Sequence, residues 1–220
     1  MQKLKLSSKT LSILKNFSTI CSSLYVRPGN VISTISSAKT IMATAKVEET
    51  FENEFAIYDI SRFISALSMF KEPSLQMDSK KIVISEGKKK LNYGLASPKT
   101  VIIPPEKALS MPSEDIEFTL TQDMMQDVMK VVSVMRLTEV VVRGDGKKIT
   151  FGAVHNDNKN DDFAVEVGES DQVFTAVFSP ENMKLLPGDY KVILCKKGLS
   201  KFIADDLIYF VAIEANSSFE

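Results

Sequence analysis

At 220 residues, 44% hydrophobic and 25% charged, the chain has the make-up of a globular protein, with one large domain or two of about 110 residues, and not of a disordered tail. The formal net charge is only −1. The longest apolar run, Leu207–Ile213, is too short to cross a bilayer, no apolar N-terminal core marks a signal peptide, and Cys21 and Cys195 are spaced for neither a disulfide framework nor a metal site. A soluble intracellular protein with reduced thiols is expected.

The small net charge hides an asymmetry. From the start through Val47 there is no acid but seven basic residues, Lys3 to Lys46, so residues 48–220 carry about −8 (20 basic, 28 acidic). Within this opening, "LSSKTLSILKNFSTI" (Leu6–Ile20) follows a short alternating strand and begins with a serine cap, which predicts a helix. At 100° per residue Leu11, Ile13, Leu14, Phe17 and Ile20 fall on one side, and Lys9, Ser12, Lys15, Asn16 and Thr19 on the other. Alternation then predicts strands through "VISTISSAKTIMATAKV". From Phe55 the pattern is a strand, a second short helix capped by Asp59 or Ser61 and presenting Arg62, Ser65 and Ser68, then further strands. Lys88-Lys89-Lys90 reads as a charged edge or hairpin tip that resists sheet-to-sheet aggregation.

"SPKTVIIPPEKALSMP" (97–112) holds four prolines and no helical period, so it reads as an extended connector between domains at 1–110 and 111–220. Beyond it the order repeats. "LTQDMMQDVMKVVSVM" (Leu120–Met135) predicts a third helix burying Met124, Met125, Val128, Met129, Val131, Val132 and Met135. Its polar face is Gln122, Asp123, Gln126, Asp127, Lys130 and Ser133, with Arg136 at the far end. Asp145-Gly146 marks a tight hairpin. After Phe174, Ser179 as cap and Pro180 at the first helical position predict a fourth helix carrying Lys184 and stopped by Pro187-Gly188. The reading is α+β: two similar domains, each of two strand–helix–strands units.

Catalytic constellations are nearly absent. His155 is the single histidine, in "VHNDNKNDD", where a calcium loop would need a glycine and a twelfth-position glutamate that are missing; a solvated hairpin tip fits better. No phosphate-binding glycine fingerprint occurs, and Cys195 has no evident base. An enzyme is not expected. Basic helix faces set among hydroxyl and amide side chains suit a phosphate backbone contacted weakly and without base reading.

Over essentially its whole length the sequence resembles the trimeric sliding clamps of tailed bacteriophages, the processivity factors of their DNA polymerases. The resemblance rests on "LKNF" (14–17), "AIYD" (56–59) with the helix after it, "ENMKLLPGDYKVIL" (181–194) and "YFVAIEA" (209–215), in order over two halves of similar length. It implies clamp domains whose helices line a ring of three chains and whose sheets form the outside. It implies double-stranded DNA met by Lys9, Lys15, Asn16, Arg62, Lys130, Arg136 and Lys184. It implies no cofactor and no metal. The partners it implies are the replicative polymerase, a clamp-loader ATPase and late-transcription factors, in the cytoplasm of an infected bacterium. Such partners insert a short hydrophobic peptide into a pocket, expected here among Val101, Ile102, Ile103, Val211 and Ile213. The alternative is a sequence-nonspecific DNA-binding accessory protein that forms no ring.

Overall fold

The computed structural model describes residues 3–158 and 160–220. They form two compact units, one ending at Lys107 and one beginning at Ala108. In the first, the order is β1 (Lys3–Leu4), α1 (Ser8–Ile20), β2 (Leu24–Val26), β3 (Gly29–Ile35), β4 (Ile41–Phe51), β5 (Phe55–Ile57), α2 (Ile60–Ser68), β6 (Ser74–Met77), β7 (Lys81–Glu86) and β8 (Lys89–Gly94). In the second it is β9 (Ile116–Leu120), α3 (Gln122–Met135), β10 (Glu139–Asp145), β11 (Lys148–Val154), β12 (Asp162–Glu169), β13 (Val173–Phe178), β14 (Tyr190–Cys195), β15 (Leu199–Ala204), β16 (Leu207–Ala212) and β17 (Ser218–Phe219).

The repeat read from the sequence is a repeat of pairing. In the first unit the hydrogen-bonded orders are β1-β6-β7-β8 and β5-β2-β3-β4; in the second they are β9-β14-β15-β16 and β13-β10-β11-β12, with β17 added beside β13. The ladders are antiparallel. β8 and β12 are outermost strands, of 6 and 8 residues.

Local chemistry sets the helix starts. Ser7, Asp59 and Thr121 each hold an extended backbone and accept an amide two or three residues into the helix, from Thr10, Arg62 and Met124. The hairpin turn at Asp145-Gly146 forms as expected, with Gly146 at φ +84° and Asp145 accepting the Lys147 and Lys148 amides. At Gly152 a Cβ would lie 2.1 Å from the Phe163 carbonyl oxygen, so only glycine lets β12 approach β11 there. In the first unit α1 packs on α2 and on β3 and β4. Leu14, Leu24, Ile32, Phe63, Leu75 and Ile82 close around a void of only about 20 Å³, a well-filled core.

The fourth predicted helix is not one. Residues Pro180–Asn182 make a single 3-10 turn, and Ser179 gives no side-chain cap. The reason is tertiary. The Tyr190 hydroxyl donates to the Leu186 carbonyl (2.6 Å) and the Leu186 amide donates to the Tyr209 hydroxyl (3.1 Å), so both backbone groups a helix would need are taken. Burial pushes the Tyr209 hydroxyl up to about 12 and raises that of Tyr190 as well, which keeps both neutral. A second difference follows. α3 packs against β10, β11 and β12, and its buried residues are Val128 and Val132. Met124, Met125, Met129 and Val131, expected in the core, are half-buried, and Met135 is exposed.

Replacing Tyr190 or Tyr209 by Phe removes one of the bonds that hold Leu186. Each change is expected to cost about 1–2 kcal/mol, read as a lower urea midpoint with an unchanged slope.

Candidate nucleic-acid interface

The exposed faces of α1 and α2 contain no carboxylate. On α1, Lys9, Ser12, Lys15 and Thr19 are exposed and Asn16 is half-buried, while Thr10, Ile13, Leu14, Phe17 and Ile20 are buried. On α2, Arg62, Ser65 and Ser68 are exposed above buried Ile60, Phe63 and Leu67. Lys9 and Arg62 lie in the first turns of their helices, and Lys15 stands about 9 Å further along the axis from Lys9. Four hydroxyls of these faces are turned back on their own helices, while Ser8 and Ser61 are exposed beside them. Ser12 donates to the Ser8 carbonyl (3.0 Å), Thr19 to that of Asn16 (2.7 Å), Ser65 to that of Ser61 (2.9 Å) and Ser68 to that of Ser65 (2.8 Å). The donors that α1 and α2 project outward are therefore the side chains of Lys9, Lys15 and Arg62, with the hydroxyls of Ser8 and Ser61.

The second unit is net acidic, with 11 basic and 19 acidic residues from 108 to 220, and its helix carries both signs. Lys130 is exposed on α3 together with Asp123 and Asp127, and Lys184 is exposed beyond the 3-10 turn beside exposed Glu181. Arg136 is the C-cap of α3 at φ +55°, ψ +41°, a left-handed conformation usually given to glycine or asparagine. Beside the helix, an open groove of about 250 Å³ is lined by Met125, Met129, Met183, Leu185, Leu186 and Pro187.

Two sets of groups at this interface lie outside the sequence reading. The first is carboxylates at helix starts. Glu49 of β4 is buried and accepts the Ser7 amide and the Thr10 hydroxyl (2.5 Å), while Asp189 accepts the Gln122 amide (2.8 Å). A signal for Glu49 did exist, because it is an acid at an inward position of the alternation Val47, Glu49, Phe51. The second is an open groove of about 400 Å³ between α2 and β8, lined by Tyr58, Asp59, Arg62, Ala66 and residues 91–96. At its base the Tyr93 hydroxyl, raised by burial, donates to the Asp59 carbonyl (3.0 Å).

The expected peptide-binding residues fall in different environments. In the first unit Val101 is half-buried and Ile102 and Ile103 are exposed, while buried Pro104 accepts the Arg27 guanidinium (2.8 Å) and the Ile102 amide donates to the Ser23 hydroxyl (3.2 Å). In the second unit Val211 is fully buried and Ile213 nearly so. Exposed apolar surface in this set therefore belongs to Ile102 and Ile103. His155 is half-buried on the β11–β12 turn, where its Nδ1 accepts the Asp157 amide (3.2 Å), and Cys195 is buried with its Sγ 3.1 Å from the Ser113 hydroxyl. Among the described residues no helix is long and apolar enough to cross a membrane.

Two units of matching strand order, the first with two α-helices and the second with one, define the clamp class of fold. A chain in the solved structure of the C-terminal region of FEN-1 bound to A. fulgidus PCNA aligns with a TM-score of 0.72 at 12% identity, covering 99% of this chain and 100% of that one. The pattern described as DNA polymerase processivity factor matches residues 5–103, and that described as gp45 sliding clamp, C terminal, matches residues 117–215. The sliding clamp of Vibrio phage KVP40 is 32% identical, over 96% of this chain and 100% of the relative. That of Enterobacteria phage T4 is 27% identical, over 98% and 99%. The chain belongs to the phage sliding clamps, the processivity factors of DNA polymerase.

Arg136 separates charge from backbone. Arg136→Gly relieves a left-handed residue worth about 1 kcal/mol, so thermal unfolding should stay level or rise slightly; reduced retention on DNA in the same variant would mark the side chain as a DNA contact.

Proposed function

We propose that three copies of the chain close head to tail around duplex DNA and tether the replicative polymerase, with no chemistry of their own. The acid-free exposed face of α1 and α2, carrying Lys9, Lys15 and Arg62, is the observation that carries this reading. Asn16, Lys130, Arg136 and Lys184 add to the lining, more weakly because Asp123, Asp127 and Glu181 accompany them. Each lysine–phosphate contact is screened and easily exchanged. Encirclement then holds the ring on DNA while the contacts remain loose enough to slide. The tether raises the polymerase's effective concentration at the primer end.

The sheet edges support head-to-tail closure. β8 reads Lys-Lys-Leu-Asn-Tyr-Gly, with no acid, and β12 reads Asp-Phe-Ala-Val-Glu-Val-Gly-Glu, with no base. An outermost strand offers an unpaired row of backbone groups. Like edges repel, so β8 of one copy meets β12 of the next, a heterologous contact that closes by rotation. Opening and loading fall to an ATP-driven clamp loader, working in the cytoplasm of the infected host. The loaded ring also serves other factors, including those of late transcription, whose apolar peptides dock at the exposed Ile102 and Ile103, beside Val101.

Light scattering across a dilution series tests this. The expected plateau is three times 24.4 kDa, about 73 kDa, with retention on circular but not on linear DNA. A monomer at every concentration, with equal affinity for both DNAs, would replace the ring by an open DNA-binding platform. Lys89→Glu combined with Lys90→Glu should move assembly to a concentration about tenfold higher or more, as a few exposed ion pairs allow. Added salt should act in the same direction.

A further inference from the structure

The positive end of each α-helix described here is occupied by a carboxylate of the chain itself. At α1 it is Glu49, bonded to the Ser7 amide and the Thr10 hydroxyl; at α2, Asp59, on the Arg62 amide (2.9 Å); at α3, Asp189, on the Gln122 amide (2.8 Å). Capping alone does not require all of these. α1 and α3 already have hydroxyl caps, Ser7 accepting the Thr10 amide at 3.1 Å and Thr121 the Met124 amide at 3.3 Å, and a hydroxyl is a good N-cap. Glu49 and Asp189 reach these helices from β4 and from the turn before β14, and add the full negative charge that a hydroxyl lacks. Glu49 does so while 8% exposed, where an ionised group is costly to place.

An open helix N-terminus attracts phosphate, through its unpaired amides and its partial positive charge. Here Lys9 and Arg62 sit in the first turns of α1 and α2, and helical side chains lean toward the N-terminus. A phosphate drawn to either cation would arrive beside that end of the helix. Without a resident carboxylate it would be held by a cation and by backbone amides together, in a fixed geometry that opposes sliding.

We infer that Glu49, Asp59 and Asp189 occupy the helix N-termini in place of DNA phosphate, so that contact with the duplex stays limited to mobile side chains. The inference rests on the reading that these helices face DNA. It assigns the three acids a role in mobility that their effect on stability does not include.

The test uses the full chain with Asp59→Asn and Asp189→Asn, singly and together. Asparagine keeps a capping oxygen and removes the charge. Asp205→Asn, on the exposed β15–β16 turn, is the control for net charge. Affinity for a short linear duplex is measured by fluorescence anisotropy over a range of salt, and folding by thermal melting. The paired variant is expected to bind about threefold to tenfold tighter, with a salt slope steeper by about 0.9 per phosphate captured, while Asp205→Asn changes neither by as much. If an asparagine variant melts early, serine at the same position supplies a neutral cap and replaces it in the comparison. A paired variant that behaves like Asp205→Asn overturns the inference. Lys15→Glu in the same assay tells the two failures apart. If it weakens binding while the paired variant matches the control, only this inference falls. If it too has no effect, the DNA-facing reading falls with it.

Discussion

The contact between α1 and α2 is what the basic face depends on. Leu14 of α1 and Phe63 of α2 meet around the same small void, with strand residues Ile32, Leu75 and Ile82 closing it. Deleting a buried phenylalanine from such a core costs about 3–5 kcal/mol. With both helices held on their apolar sides, their outward faces are relieved of any part in stability and can carry Lys9, Lys15 and Arg62 with no carboxylate within either helix. Self-repulsion among so few, well-spread charges is small beside the burial that anchors them.

The second unit shows the same plan with one part changed. Two buried tyrosines hold the chain around Leu186 as a loop, where the first unit has α2. α3 therefore covers its strands alone, leaving a methionine-lined groove on its flank. Methionine suits such a half-covered position, since its flexible thioether adapts to an irregular boundary. The unit with the helix pair is net positive, with 16 basic and 9 acidic residues; the unit with the loop is net negative, with 11 and 19.

Most of this architecture was legible in the sequence because it is written locally. Ser7, Asp59 and Thr121 announce helices α1, α2 and α3, Asp145-Gly146 announces a turn, and the apolar spacing of α1 assigned its buried face nearly residue by residue. What failed was a local signal overruled from a distance. Ser179, Pro180 and Pro187-Gly188 spell a short helix, but hydroxyls from Tyr190 and Tyr209 claim the backbone in between. The buried methionines of α3 failed with it, since their burial needed the missing partner. At the site, charge and facing could be read, because they depend only on spacing. Which helix each anchoring acid serves could not, since Glu49 lies 39 residues from Thr10 and Asp189 lies 67 from Gln122. The Lys88-Lys89-Lys90 run did point to an edge at β8, whereas no segment declares that β12 ends its sheet.

The inward-turned hydroxyls of α1 and α2 have a consequence for solvent. With their protons given to the helix backbone, Ser12, Thr19, Ser65 and Ser68 face outward with lone pairs only. A phosphate oxygen is also an acceptor, so while these bonds hold the two do not pair directly, and water lies between them. A duplex beside these helices would therefore rest on a hydrated film, touched through it by a few long cationic side chains. Water in such a film exchanges far faster than a protein moves along DNA, so these parts of the surface would offer little friction.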